Sequence, residues 1–268
     1  FSDDILEYII YNYTLEGGIR KLKQQVFEII REVNLKYLMT EEYTFPIKID
    51  KQLIEDIFSN KLKIIYKKIS PKSHIGLVNG LYATTSGVGG ITIIESFKTF
   101  SDNKLSLTLT GQQGDVMKES MQCAKTIAWN LIPNNIKKEI NKDWKSNSSW
   151  GIHIHCPEAA VPKDGPSAGG AITLAMVSLL TKIPVKNTVA LTGEIDLNGS
   201  IHAIGGLDNK IEGGKLAGVK LILYPHQNEQ DIDIIKIKNK EILDNIELKP
   251  IKNIWEILEY CLEDHNIE

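Results

Sequence analysis

The sequence predicts a mixed α/β domain preceded by a short all-helical segment, and three observations carry that expectation. Apolar residues recur at three- and four-residue steps within the first forty positions. From about residue 75 alternating, glycine-bounded apolar runs take over. Beyond residue 150 strand-like and helix-like runs follow one another, as they do where helices pack on a sheet with mixed strand directions.

Residues 1–40 read as helical, with Ile19, Leu22, Val26, Ile29, Ile30 and Val33 on one stripe. Thr14 and Glu16-Gly17-Gly18 mark a break between two helices. A short strand is expected at Ile47–Ile49 and a helix from Asp50, a residue suited to the N-cap. The Lys-rich stretch 59–74 is the boundary, dividing the chain into residues 1–60 and 61–268, and its charges fit a solvated face. "GLVNGLYATTSGVGGITIIES" reads as two strands and a hairpin. "KLSLTLTG" follows, with Leu105, Leu107 and Leu109 on one face. "GDVMKESMQCAKTIAWNLI" is a helix with Val116, Met117, Met121, Ala124, Ile127, Ala128 and Leu131 inward. Residues 134–148 are read as a helix end and loop. Then "WGIHIHC", "PSAGGAITLAMVSLL", "TVALTGEI", "SIHAIGG", "LDNKIEGGKLAG" and "VKLILYP" alternate strand and helix.

Composition narrows the function classes. The chain has 268 residues, 42% hydrophobic and 24% charged, which suits one large domain with a fragment of another. A net charge of −3 gives no electrostatic footprint for nucleic acid. No apolar run approaches the ~18 residues of a membrane span, so neither nucleic acid nor membrane is expected as a partner. Cys123, Cys156 and Cys261 are too few and too scattered for a disulfide framework and fit a reducing compartment. The chain opens on Phe1 inside a helical texture, with no targeting segment, and is read as a piece of a longer protein.

"PKDGPSAGGA", residues 162–171, raises the chemical question. A turn-forming Asp-Gly-Pro delivers Ser167 to the start of an apolar helix. Ser167 is either a nucleophile beside backbone N–H groups able to stabilise an oxyanion, or part of a glycine-rich anion nest or helix cap. Gly165, Ala168, Gly169 and Gly170 are expected to leave room for a substrate backbone. A serine nucleophile needs a base. His153 and His155 alternate on one strand, share a face, and leave Cys156 on the other. As a zinc pair they lack a second ligand cluster, so no metal is expected. The other base is a lysine, and Lys210 follows a Gly-Gly turn among the apolar Ile204, Leu207 and Ile211. Burial there favours the neutral form that can accept a proton.

"PKDGPSAG", "TGEI" and "GGL-x-x-K", in that order and with 43 residues from Ser167 to Lys210, resemble the proteolytic domain of Lon, the ATP-dependent Ser-Lys protease. "HIHCPEAAVPKDGPSAG" and "LTGQQGDVMKESMQCA" extend the resemblance over roughly residues 75–260. "YTLEGGIRKL" resembles part of the small helical lid of the AAA+ ATPase that precedes that domain. The resemblance implies a Ser167–Lys210 dyad, with Thr192 orienting the lysine and a neighbour near Gly165 completing the oxyanion hole. Asp164 is read either as tuning the lysine or as a turn-forming or N-cap residue, and His153 and His155 as residues that shape the site. Arg20 resembles a nucleotide-sensing arginine. No G-x-x-x-x-G-K-[ST] is present, so ATP and magnesium are expected only for the full-length enzyme. Polypeptide substrates, a hexameric ring and a mitochondrial matrix or else cytoplasmic location are further implications. Against them stands a noncatalytic phosphate- or nucleotide-binding or assembly module that uses DGPSAGG, with Lys163 as its cation. Three departures from the family pattern are visible: "GLYATTSGVGG" is two residues longer and lacks tryptophan, Asp208 and Asn209 precede the lysine, and Gly170 is an added glycine.

Overall fold

The computed structural model describes residues 1–14, 16, 18–40, 45–85, 87–146, 149–157 and 164–263. Two compact units emerge, one of residues 1–66 with 84–88, the other of the remainder.

The first unit is helical: α1 (Asp3–Ile9) continuing through a π-turn to Thr14, α2 (Arg20–Thr40) and α3 (Lys51–Ile57). Ile5, Ile9, Ile29, Val33, Ile49, Ile54 and Phe58 form its core. The expected break after Thr14 is present. Asp50 caps α3 as its sequence position implies, its carboxylate accepting from Leu53 N at 2.9 Å. Ile47–Ile49, expected as a strand, has no ladder partner among the described residues, and its apolar side chains pack among the helices instead.

The second unit is built on β1 (Leu77–Ala83), β2 (Gly89–Phe100), β3 (Leu107–Thr110), β4 (Trp150–His155), β5 (Val189–Leu191), β8 (Leu221–Pro225) and β9 (Glu247–Ile251). They form one mixed sheet in the order β3-β4-β2-β1-β5-β8-β9. β1, β5, β8 and β9 run parallel, whereas β2 is antiparallel to both β1 and β4. A separate ribbon pairs β6 (Glu194–Ile195) with β7 (Ile201–His202). The helices are α4 (Asp115–Leu131), α5 (Asn134–Ser146), α6 (Gly169–Thr181), α7 (Leu207–Ala217), α8 (Glu229–Lys238) and α9 (Ile254–Cys261).

Strand alternation explains how the sheet is sandwiched. Val78, Ile94, Val189, Leu191 and Leu223 join one core with α4 and α6. Their neighbours Leu81, Ile91, Ala190, Ile222 and Tyr224 join a second core with α7. The parallel strands are therefore covered on both faces, as their unbroken apolar runs require. α6 is buried from Gly169 to Leu180, which explains an apolar run with no polar face.

Three expectations need correction. Residues 134–146 form a full helix, α5, because Ile136, Ile140 and Trp144 make a four-residue apolar stripe that the surrounding Lys and Asn obscure. Leu105 lies outside β3, with a positive φ of 52°, yet it packs against the same core as Leu107 and Leu109, as their shared face implies. Val116 is exposed, while the small Ser120 takes a buried place on the inner face of α4.

Candidate active site

The parallel strands direct their carboxyl ends toward the site, the usual place for ligands in such sheets. Thr192 follows β5 and is fully buried. Its backbone N–H donates to Leu223 O at 3.1 Å, which fixes it to β8. Its hydroxyl joins the two residues singled out in the sequence. Thr192 Oγ1 donates to Ser167 O at 3.3 Å and accepts from Lys210 Nζ at 3.1 Å. The serine segment, from one face of the sheet, and the lysine helix, from the other, meet on one threonine.

Ser167 sits in the middle of a 3₁₀ turn, Pro166–Ala168, directly before α6 rather than within its first turn. Gly193 N donates to Ser167 O at 2.7 Å, and Gly170 N to Gly193 O at 3.1 Å. Gly193 escaped the sequence reading as a site residue; the Thr-Gly after a buried strand was its signal. The expectation that glycines here leave room for substrate holds only in part. A Cβ at Gly169 would lie 2.8 Å from Ile195 Cγ2 and 2.9 Å from Ser120 Oγ, and one at Gly170 would lie 3.0 Å from Ile257 Cδ1. Those two glycines make room for the core. Gly165 has nothing within 4 Å of its Cβ position.

The anion-nest alternative fares poorly on geometry. Gly165 is extended, Ala168 lies at φ −92° and Gly169 at φ −56°. A nest alternates right- and left-handed residues, and Pro166 has no N–H to offer. Lys163, which would have supplied its cation, lies outside the described residues.

Lys210 is held in the first turns of α7, where it is 4% exposed. Gly206 stands before that helix at φ 67°, a conformation that favours glycine. Burial alone pushes the Lys210 ammonium down to about 8 from 10.5. Glycines let α7 approach the β1–β2 hairpin backbone to backbone. A Cβ at Gly213 would lie 2.1 Å from Gly90 N, and one at Gly89 would lie 1.7 Å from Asn209 O. Gly213→Ala is expected to lower unfolding stability by about 2 kcal/mol or more, because neither backbone can yield. Gly205→Ala, at a position with open space, should stay within about 0.5 kcal/mol. Urea unfolding of the two variants checks this; equal midpoints would contradict the seam.

The remaining predicted residues take other places. Asp164 Oδ1 accepts from Met117 N at 3.1 Å, so its bond runs to α4, and burial rather than Asp164 shifts the lysine. His153 Nε2 and His155 Nδ1 both bond to Thr110 Oγ1, at 2.9 and 2.7 Å, and Cys156 is buried on the opposite face. Among the described residues no group of three or more His, Cys, Asp or Glu is placed to hold a metal. Arg20 is the exposed first residue of α2 in the helical unit. Asp208 is exposed in the first turn of α7 and accepts from Asn209 Nδ2 at 3.2 Å.

The chain is similar to known proteins over nearly its whole length. Residues 48–264 match the family described as the Lon protease (S16) C-terminal proteolytic domain, and residues 1–45 the Lon protease AAA+ ATPase lid domain. A Lon protease of Trichlorobacter lovleyi is 39% identical over 264 residues, covering 98% of this chain and 30% of the relative. One from Clostridium acetobutylicum is 41% identical over 236 residues, 87% of this chain and 28% of the relative. A Lon protease homolog of Acanthamoeba polyphaga mimivirus is 34% identical over 317 residues, 96% and 30% respectively. The chain spans less than a third of the length of these relatives.

Proposed function

The chain belongs to the Lon protease family, and from that premise we propose that it is a serine endopeptidase unit in which Ser167 is the nucleophile and Lys210 the base. The observation that carries the proposal is the single buried threonine bonded to both Ser167 O and Lys210 Nζ. Neutral Lys210 takes the Ser167 hydroxyl proton as Oγ attacks the scissile carbonyl. The resulting ammonium gives that proton to the leaving amine as the C–N bond breaks. Lys210 then deprotonates water, which attacks the acyl-enzyme ester, and the proton returns to Ser167 Oγ. The Ser167 N–H is one donor to the developing oxyanion.

A polypeptide substrate suits the sheet. β2 pairs with β1 from Gly89 to Glu95 but with β4 only from Glu95 onward. Among the described residues, Gly89–Ile94 has a ladder partner on one side only, and an extended peptide can add there as a strand. ATP with magnesium, and assembly into a hexameric ring, are proposed for the whole protein. Arg20 is one exposed guanidinium without a phosphate loop, so no nucleotide-dependent step is derived for this chain.

The test is covalent. A peptide boronate or acylating serine probe, mapped by mass spectrometry on the intact chain, is expected to label Ser167. Labelling should require deprotonation of Lys210 and so strengthen as pH rises through about 8. Labelling elsewhere, or none while a peptide substrate is still cleaved, would reject the assignment.

A further inference from the structure

α4 begins without a cap of its own. Its N-cap position is Gly114, extended at φ −72° and ψ 175°, with no side chain to accept from the first turn. The missing acceptor arrives from the serine segment: Asp164 Oδ1 takes the N–H of Met117, the third helical residue, at 3.1 Å. An N-cap Ser or Asp would place its oxygen there from within the helix, and the helix dipole favours a carboxylate. The two solutions exclude each other. A Cβ on Gly114 would lie 2.2 Å from Asp164 Cγ and 2.5 Å from Asp164 Cβ.

Asp164 stands three residues before Ser167. Downstream, the serine is fastened through its carbonyl to Gly193 N and Thr192 Oγ1. Upstream, a Cβ on the extended Gly165 would meet nothing within 4 Å, and Pro166 has no N–H with which to bond. Among the described residues, the Asp164 carboxylate ties that side to α4 by a hydrogen bond. The Ser167 N–H and Oγ lie between the two anchors.

We propose that Asp164 is a positioning residue: by capping α4 where Gly114 lacks a side chain, it holds the segment leading into Ser167 and orients the nucleophile. This rests on the reading of Ser167 as the nucleophile. Asp164 acts through geometry, since the lysine is shifted by burial and not by this carboxylate.

Amide hydrogen exchange on the intact 268-residue chain, with peptide hydrolysis beside it, tests the link. Asp164→Ala should deprotect both Met117 and the segment 165–169. Gly114→Ser is the decisive variant, because it gives α4 a cap from within while expelling the carboxylate. Met117 should then stay protected while 165–169 exchanges roughly tenfold faster or more. Asp164→Asn keeps an acceptor oxygen and should preserve protection at both places. In hydrolysis, Asp164→Ala and Gly114→Ser should lower kcat roughly 10- to 100-fold with KM moved far less, the signature of a displaced reacting group. If Gly114→Ser leaves exchange at 165–169 and kcat as in the unaltered chain, Asp164 is a helix cap only and the proposal is overturned. Exchange that responds as expected in a chain without Ser167-dependent hydrolysis overturns the assigned reaction and supports the mechanical link.

Discussion

Ser167→Ala is expected to reduce peptide hydrolysis to background while leaving thermal unfolding unchanged. Removing the nucleophile of a serine hydrolase lowers kcat on the order of 10⁶-fold, with the remainder due to binding and oxyanion stabilisation. The fold should not notice. The serine's structural bonds run through its carbonyl, to Gly193 N at 2.7 Å and Thr192 Oγ1 at 3.3 Å, and alanine keeps that carbonyl. Neither the 3₁₀ turn nor α6 takes a side-chain cap from Ser167. Calorimetric unfolding beside a peptide assay separates the two effects. Turnover persisting in a folded, pure variant would remove Ser167 from the mechanism.

Lys210→Met is expected to abolish hydrolysis and, at pH 7, to stabilise the protein. The side chain is 4% exposed and its conjugate acid is pushed down by burial to about 8. In the unfolded chain the same lysine titrates near 10.5. Between those values the unfolded state holds the extra proton, so stability rises with pH from about 8 to about 10.5. Below about 8 the whole penalty of a buried ammonium is present, roughly 3 kcal/mol for a shift of this size. Methionine removes the penalty and loses the bond to Thr192 Oγ1, worth about 1 kcal/mol. A net gain of roughly 2 kcal/mol follows at pH 7; it shrinks as pH rises from about 8 and becomes a loss of about 1 kcal/mol above about 10.5, where only the missing bond counts. Denaturant midpoints across pH measure it; a variant destabilised equally at every pH would contradict the buried ammonium. In the unaltered chain kcat/KM should rise on one limb centred near 8, because only the neutral amine is a base. Lys210→Arg keeps the charge but cannot deprotonate, and it should be as inactive as methionine.

Chemistry was more legible in this sequence than packing. Ser167 followed a turn signature, Asp50 announced a helix start, and Lys210 stood in an apolar setting, all properties of a few adjacent residues. α5 was missed because its stripe of Ile136, Ile140 and Trp144 is diluted by charged neighbours and shows only against the core it covers. Gly169 and Gly170 were read as space for substrate, since a glycine in a sequence does not say whether a ligand or a core side chain approaches it. The sequence around Asp164 suits tuning the lysine, forming a turn or capping a helix alike, and the helix it caps begins 49 residues earlier in the chain.

By itself the sequence determined the local choices: where helices start, which runs alternate, which residue types can act as nucleophile and base. Those choices depend on neighbours within a turn or a strand, so spacing records them. Tertiary structure decided what those residues meet. It brought Ser167 and Lys210, 43 positions apart, onto Thr192 from opposite faces of a sheet. It also removed water from around Lys210, and desolvation is a property of the whole packed surroundings that no short stretch of residues contains.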